Sequence, residues 1–463
     1  MRFYRMFQSP DDPVTVAPGD QLIFWSSIIF LPLSLLAAID PLFIAVGIGV
    51  GTGFGLLISI DAFLSLSKFK MIRVSFPEVL RLSKNRAREL KVSVLNEGKQ
   101  LSSIKIGFRF PEGLLASFQD QILKEVKEGN RYSLNWPVEG QALGSYDLKH
   151  CYLEAGSACG FWSVRTSRKI SVQIRVYPDL MSAQGELGDL FLNRGLGVHA
   201  RSMIGKGREF EQLRDYIAGD NYEDIHWRAT AKRNHPVTKT YQLERTQSVY
   251  LILDASRLSA RRLDGPDPQE GHGKVTTILE KYISAALMMG LVTSRQGDRF
   301  GVLTFSNRVL NFFNANSGQA HFNAVRDTLF TLKPQGVSPD FSELFTFIGT
   351  NIRHRALLIF LTNLDDPVLS EGFIQKVTVI NKKHLVMVNA ITPRGCGELF
   401  STPVTGSTDE VYERLAGHLI WDTVYKTKKI LRSHHVEYSL FDKEHLIVDM
   451  VSQYMTVKQK QVL

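Results

Sequence analysis

Cysteine is scarce in this chain, with Cys151, Cys159 and Cys396 as the only three among 463 residues. Three cysteines cannot all pair within one chain, and no Cys-x-x-Cys or Cys/His spacing typical of a zinc site is present. The simplest interpretation is reduced thiols in a cytoplasmic compartment. The net charge of +9 is modest for this length, and no lysine or arginine run of the kind found in nucleic-acid tails occurs.

Charge is almost absent from residues 21–60, where Asp40 is the only charged residue and Pro41 follows it. An apolar run of roughly 20 residues suffices to cross a bilayer as a helix, and this run is about twice that length. We therefore predict two transmembrane helices at about 21–39 and 42–60. A cleaved signal peptide has one shorter apolar segment, and a buried hairpin of a soluble protein is the alternative.

The basic residues that flank this apolar run predict its orientation. Arg2 and Arg5 precede the run, and no basic residue lies in the turn between the helices. Those that follow it are Lys68, Lys70, Arg73, Arg81, Lys84, Arg86 and Arg88. The positive-inside bias places both ends in the cytoplasm. We therefore expect a multi-pass protein of the bacterial inner (cytoplasmic) membrane, with residues 1–20 as a cytoplasmic tail and 21–61 as the membrane segment.

Residues 71–180 alternate apolar and polar side chains with a period of two, as in "ELKVSVLNEG" and "KISVQIRVYPDL". Such short strands separated by Gly, Pro or Asn are typical of a small antiparallel sandwich. No cluster of potentially catalytic or metal-binding residues occurs in this region, so we expect it to be a spacer or docking module. Residues 181–245 are expected to hold a linker and the densest polar stretch of the chain.

Residues 246–463 alternate buried strands with helices, which predicts a mostly parallel sheet covered by helices on both faces. The chain is thus predicted to be multi-domain: a transmembrane helical hairpin, a β-sandwich-like region and a C-terminal α/β domain of Rossmann type. Ligands on such sheets bind beyond the carboxyl ends of the strands. The side chains that follow the predicted strands are Asp254, Ser256, Ser306, Asn363, Asp365 and Asp366.

The stretch "LILDAS" resembles the start of the magnesium site of von Willebrand factor A domains, because carboxylate and hydroxyl oxygens suit a hard cation. Asp254 and Ser256 are present, but Leu258 stands at the third position, and only Ser338 is available where a threonine is expected. Asn363 replaces the later aspartate. A weakly bound Mg²⁺ is the one cofactor that remains open; otherwise Asp254 and Ser256 cap turns.

In the polar stretch at residues 208–245, Phe210, Leu213, Tyr216 and Ile217 have the spacing of one helix face, and Gly219 can end that helix. We predict a second helix at about 222–232. Two interpretations stay open for this stretch. It is either a structural clasp between the sandwich and the α/β domain, in which Arg214 pairs with Asp220 and Trp227 packs, or a partner-binding surface.

"EFEQLRDYIAGDNYEDIHWRATAK" followed by "LILDAS" resembles the signature of the domain-of-unknown-function family numbered 58. The matching positions are Glu209, Phe210, Leu213, Arg214, Tyr216, Gly219, Asp220, Ile225, Trp227, Ala229, Ala231 and Lys232. The plan of two membrane helices, a β-rich region, this signature and a von Willebrand factor A-like domain also matches. His226 and Asp224 depart from the usual residues. The resemblance implies a MoxR-type AAA+ ATPase as partner, and it carries no catalytic reaction with it.

We therefore predict a membrane-anchored protein-interaction or adaptor protein that works with such an ATPase in the assembly or maturation of other proteins. The expected binding residues are Arg214, Tyr216, Gly219, Asp220, His226 and Trp227. The alternative is a metal-dependent or His226-based hydrolase, although no nucleophile elbow, phosphate loop or zinc spacing supports an enzyme. No aromatic-basic motif indicates nucleic-acid binding.

Overall fold

The computed structural model divides the chain into two compact units, Met1–Pro178 and Asp179–Leu463. The residues it describes are 4–6, 14–39, 42–65, 71–98, 100–181, 185, 204–205, 209–217, 220–242, 247–263, 276–399 and 408–459. The first unit contains the apolar hairpin together with the β-rich region. The second contains the signature stretch together with the α/β region.

Two helices form the hairpin, α1 (Asp20–Ala37) and α2 (Leu42–Ser65). Both are long and apolar enough to cross a membrane, with mean hydropathy of 1.6 and 1.8 over their best windows. Their side chains are largely exposed, unlike those of a core helix in a soluble protein, which confirms the prediction of two apolar spanning-type helices. The predicted turn at Asp40 and Pro41 lies outside the described residues.

The β-rich region is a sandwich of two sheets with strand orders β1-β3-β5-β9-β7 and β2-β11-β10-β6-β8, and β4 pairs with β11. Its strands are β1 (Tyr4–Met6), β2 (Val14–Pro18), β3 (Ile72–Pro77), β4 (Val79–Ser83), β5 (Ala87–Asn96), β6 (Leu101–Phe108), β7 (Leu114–Ala116), β8 (Asp120–Val126), β9 (Arg131–Gly140), β10 (Gly144–Gly156) and β11 (Trp162–Tyr177). Alternate side chains point into the core because the pleat has a period of two. Trp136 is fully buried there and packs edge-on against Phe108.

The strands β1 and β2 correct the prediction for the N-terminus. Both precede the hairpin, yet β1 pairs with β3 and β2 pairs with β11. The interpretation of residues 1–20 as a tail is therefore wrong for these two segments. Neither segment is long enough for its period to be recognised alone, because three to five residues in an edge strand depend on a partner strand for their hydrogen bonds.

The signature stretch folds around a small antiparallel sheet with the order β12-β14-β13. Its elements are β12 (Ile204–Gly205), β13 (Glu209–Asp215), a 3-10 helix (Tyr222–Asp224), α3 (Trp227–Arg233) and β14 (Val237–Gln242). The predicted first helix is wrong, because Glu209–Asp215 is a strand. Eight residues are too few to distinguish the helical period from the strand period. Pairing with β14, which contains Thr238 and Thr240, stabilises the strand. The predicted second helix begins later, at Trp227.

The α/β region is a six-stranded sheet with the order β17-β16-β15-β18-β19-β20, parallel except for the edge strand β17. Its strands are β15 (Ser248–Asp254), β16 (Arg299–Phe305), β17 (Val309–Asn316), β18 (Leu357–Leu361), β19 (Leu385–Ile391) and β20 (Glu437–Phe441). Its helices are α4 (Ile278–Arg295), α5 (Gln319–Leu329), α6 (Phe341–Asn351), α7 (Pro367–Asn381), α8 (Thr408–Ser433) and α9 (Leu446–Gln459). The order confirms the predicted Rossmann-type fold; β17 and α9 were not predicted.

The strand order places Asp254, a residue of the predicted metal site, where the direction of strand addition changes. β15 pairs with β16 on one side and with β18 on the other, so the direction of strand addition reverses at β15. Asp254 is the last residue of β15 and therefore lies at the switch point where open α/β sheets bind ligands.

Candidate functional site

Asp254 is buried at this switch point, with 1% of its surface exposed. Its Oδ1 accepts a hydrogen bond from the Ser256 amide at 2.8 Å, and its Oδ2 accepts one from the Thr362 hydroxyl at 2.6 Å. Burial raises the pKa of the Asp254 carboxyl above its ordinary value, although these two hydrogen bonds oppose that change. Asp254 therefore joins the ends of β15 and β18 through its own side chain.

Two arginines pair with the carboxylates that follow β18. Arg257 Nε donates to Ser338 Oγ at 2.9 Å, and its Nη2 lies 3.5 Å from Asp366 Oδ2. Arg261 pairs with Asp365, whose side chain is nearly buried. The chain itself thus supplies positive charge to the carboxylates after β18. The sequence signal for this arrangement was the group of three arginines, Arg257, Arg261 and Arg262, that follows "LILDAS".

The remaining predicted strand-end side chains also have partners within the chain. Asn363 accepts a hydrogen bond from Tyr282 Oη at 2.6 Å and donates one to the Ile391 carbonyl at 3.1 Å. Ser306 donates to Gln335 at 2.8 Å. Among the described residues, no group of three or more His, Cys, Asp or Glu side chains is arranged to hold a metal ion. Asp254 and Ser338 bond to different partners, so no shared contact joins these two predicted ligands.

A second candidate site is the signature stretch, where the predicted pair of Arg214 and Asp220 is present. Arg214 Nη2 lies 2.6 Å from Asp220 Oδ1, and the amide of Ile217 donates to Asp220 Oδ2 at 3.1 Å. The Ile217 amide and the Arg214 guanidinium hold the pKa of Asp220 below its ordinary value despite partial burial. Asp220 thus closes the turn that follows β13, while Gly219 lies outside the described residues.

His226 has a structural role at the start of α3. It is the N-cap residue, and its Nδ1 accepts a hydrogen bond from the Ala229 amide at 3.0 Å. Its own amide donates to the Val237 carbonyl at 2.8 Å, which ties α3 to β14. A neutral imidazole that accepts through Nδ1 carries its proton on Nε2. His226 therefore has no free basic nitrogen in this arrangement.

We expect His226→Ala to destabilise α3 by about 1 kcal/mol, because an N-cap acceptor is lost. His226→Asn should keep the cap, because the asparagine side chain is a strong N-cap acceptor. Hydrogen–deuterium exchange of the α3 amides measures both variants. Equal acceleration of exchange in the alanine and asparagine variants would show that the cap does not hold this helix.

Large apolar side chains are exposed on the same stretch. Trp227 is 67% exposed, Tyr222 is 75% exposed and Ile217 is 63% exposed. The clasp interpretation requires Trp227 to pack, whereas the first turn of α3 leaves this side chain largely exposed. The Tyr222 ring lies 6.1 Å from that of Tyr216, which is only partly exposed. A firmly bonded scaffold thus presents aromatic surface, as a binding site for another macromolecule requires.

Residues 212–399 match the family model described as "Protein of unknown function DUF58". Uncharacterized proteins of Mycobacterium tuberculosis and Mycobacterium bovis are each 23% identical over 204 residues, which cover 43% of this chain. The matched region spans 59% of the length of these curated relatives.

Two solved structures align with part of this chain. The SpRpn10 VWA domain has a TM-score of 0.26 at 11% identity, covering 45% of this chain and 95% of that one. The conserved hypothetical protein BatB from Bacteroides thetaiotaomicron has a TM-score of 0.28 at 14% identity, covering 46% and 99%. The α/β fold of this chain rests on its own strand order. Residues 212–399, which include most of the signature stretch and the sheet around Asp254, are thus similar to the DUF58 family.

Proposed function

We propose that this chain is a membrane-anchored protein-interaction protein whose signature stretch, residues 209–242, binds a protein partner. The exposure of Trp227, Tyr222 and Ile217 is the observation that carries this proposal. Aromatic side chains contribute a large share of the binding energy at protein interfaces. The exposed basic residues Arg228 and Lys232 on α3 add charge that favours an acidic partner surface.

A MoxR-type AAA+ ATPase is the proposed partner, in the assembly or maturation of other proteins. Support for this identity comes from the family resemblance of the signature. The hairpin of α1 and α2 would hold the chain in a bacterial inner membrane, with the α/β unit in the cytoplasm. The basic residues that flank the hairpin favour this orientation.

We propose that the strand-end edge of the α/β sheet works without a bound cation. Asp254 supports this, because both of its oxygens already accept hydrogen bonds, from the Ser256 amide and the Thr362 hydroxyl, and Ser338 is bonded to Arg257. A hydrolase that uses His226 as a base is disfavoured, because the Nδ1 lone pair of His226 is engaged with Ala229. A binding role thus agrees better with the geometry than a catalytic one.

The test is a binding measurement between the full-length protein in detergent and a MoxR-type ATPase from the same organism. We expect Trp227→Ala to weaken the complex about 30-fold or more, the loss typical of a central aromatic anchor. The matched control is Tyr412→Ala, because Tyr412 is 71% exposed on α8 and lies outside the proposed surface.

Unchanged affinity of the Trp227 variant beside a binding wild type would reject this surface. No binding by the wild type, with and without nucleotide, would reject the ATPase as the partner.

A further inference from the structure

Residues 157–162, the turn between β10 and β11 together with the first residue of β11, contain no charged residue and read "SACGFW". This segment packs against the end of α2 within the first unit. Trp162 Nε1 donates to the Ile58 carbonyl at 3.0 Å, and the Cys159 amide donates to Asp61 Oδ1 at 3.1 Å. We call residues 157–162 the sandwich tip.

The sandwich tip extends along the apolar part of the hairpin. The Phe161 ring lies 5.8 Å from the Phe54 ring, and Phe54 in turn lies 6.1 Å from Phe30 of α1. Phe54 precedes Asp61 by seven residues, about 10 Å along a helix, and Phe30 follows Asp20 by ten residues, about 15 Å. The Phe161 backbone lies at the start of α1, where the Gly19 amide bonds to it, and the Phe161 ring extends from there toward the apolar turns at Phe54 and Phe30.

Backbone amides of the tip and of its neighbours are hydrogen-bonded within the protein. Asp61 is only 3% exposed, and its carboxylate accepts from the backbone of the tip. The Ser157 amide donates to the Trp162 carbonyl at 2.7 Å, and the Gly19 amide donates to the Phe161 carbonyl at 2.7 Å. Irregular backbone at membrane depth is tolerated only where protein groups satisfy it. This requirement explains a buried carboxylate in an otherwise apolar helix.

We propose that the sandwich tip is a lipid-contact element that lies at the boundary between headgroups and acyl chains of the bilayer. The occupant is lipid because the tip is uncharged and continues the exposed apolar surface of α1, where Ile23, Phe24 and Trp25 are exposed. Trp162 has its ring against α2 at this level, where tryptophan is enriched in membrane proteins. The inference rests on the proposed membrane anchorage, and it fixes the height of the sandwich above the bilayer.

The experiment uses the full-length protein in vesicles of phosphatidylcholine and phosphatidylglycerol, with an environment-sensitive fluorophore on Cys159, which is exposed. Cys396→Ser removes the partly exposed thiol. Cys151 is buried, and burial raises the pKa of its thiol to about 12, so it does not react in the folded protein. The control carries Cys159→Ser, Cys396→Ser and Ser167→Cys, which places the label five residues up β11, about 17 Å from Trp162.

We expect the Cys159 label to be quenched by lipids with a nitroxide near the headgroup end of the acyl chain and to be protected from aqueous iodide. The Ser167→Cys label should show the opposite behaviour. Equal iodide quenching of both labels, in protein that floats with the vesicles, overturns the lipid contact and leaves the anchorage intact. Protein that does not float with the vesicles overturns the anchorage and the tip proposal together.

Discussion

Asp298→Ala is expected to lower the free energy of unfolding of the α/β unit by about 3–5 kcal/mol, the range for breaking one side of a buried ion pair. The Asp298 side chain is fully buried, and its Oδ2 lies 2.8 Å from Lys458 Nζ of α9. The Tyr454 hydroxyl donates to the same oxygen, and the Gln247 amide donates to Oδ1 at 3.1 Å.

These contacts explain the size of the effect. Asp298 joins the residue before β15, the start of β16 and the last turn of α9. Burial and the neighbouring Asp298 raise the pKa of the Tyr454 hydroxyl, so it stays a neutral donor. Alanine would leave the Tyr454 hydroxyl and the Gln247 amide without this acceptor, and the Lys458 ammonium would lose its counter-charge and keep only the Gln296 carbonyl.

Chemical denaturation of the full-length protein in detergent, combined with hydrogen–deuterium exchange of β16, measures this loss. The matched control is Asp422→Ala, which removes an exposed i, i+4 pair with Lys426 at 2.7 Å on α8. That change should cost at most about 0.5 kcal/mol. Equal midpoints for the Asp298 and Asp422 variants would show that α9 is not held by this carboxylate.

Asp254→Ala is expected to cost about 2–4 kcal/mol, since the Ser256 amide and the Thr362 hydroxyl would each lose a buried acceptor. Asp254→Asn should cost far less, because an amide can accept from Ser256 and donate to the Thr362 hydroxyl. The same denaturation measurement compares the two variants.

The pH dependence of the Asp254→Asn variant has a defined sign. The pKa of Asp254 is raised in the folded state, so its contribution to stability is complete below the unfolded pKa and is lost as pH rises through the folded pKa. Asparagine does not ionise. The stability difference should therefore move in favour of the variant as pH rises through that range, and the opposite trend would contradict a raised pKa.

A magnesium titration tests whether the strand-end edge at Asp254 binds a cation. We expect millimolar MgCl₂ to leave the thermal midpoints of the wild type and Asp254→Asn unchanged, because both Asp254 oxygens are already engaged with the Ser256 amide and the Thr362 hydroxyl. A ligand that binds only the folded state would raise the midpoint. A magnesium-dependent rise in the wild type that Asp254→Asn abolishes would establish a metal site and reject the proposed cation-independent edge.

The sequence by itself determined the elements that have a long and regular hydrophobic pattern. The apolar run at 21–60 is long enough for two helices regardless of its surroundings. In the sandwich strands, the alternation of apolar and polar residues indicates which side chains are buried. The order of strands and helices after residue 246 allows few topologies, because parallel strands require crossover helices. The pair of Arg214 and Asp220 was predictable because the two residues lie in one short turn segment.

Only the tertiary structure decided the features that depend on a distant partner. The stretch at 209–215 is a strand because β14 pairs with it, and β1 and β2 exist because β3 and β11 offer free edges. The role of Asp254 depends on Thr362, which is 108 residues away. The sequence also gave no sign that Asp61 accepts a hydrogen bond from the Cys159 amide, 98 residues later. In each case a group forms a hydrogen bond with a residue that is distant in sequence. Local hydrophobic periodicity cannot indicate such a partner.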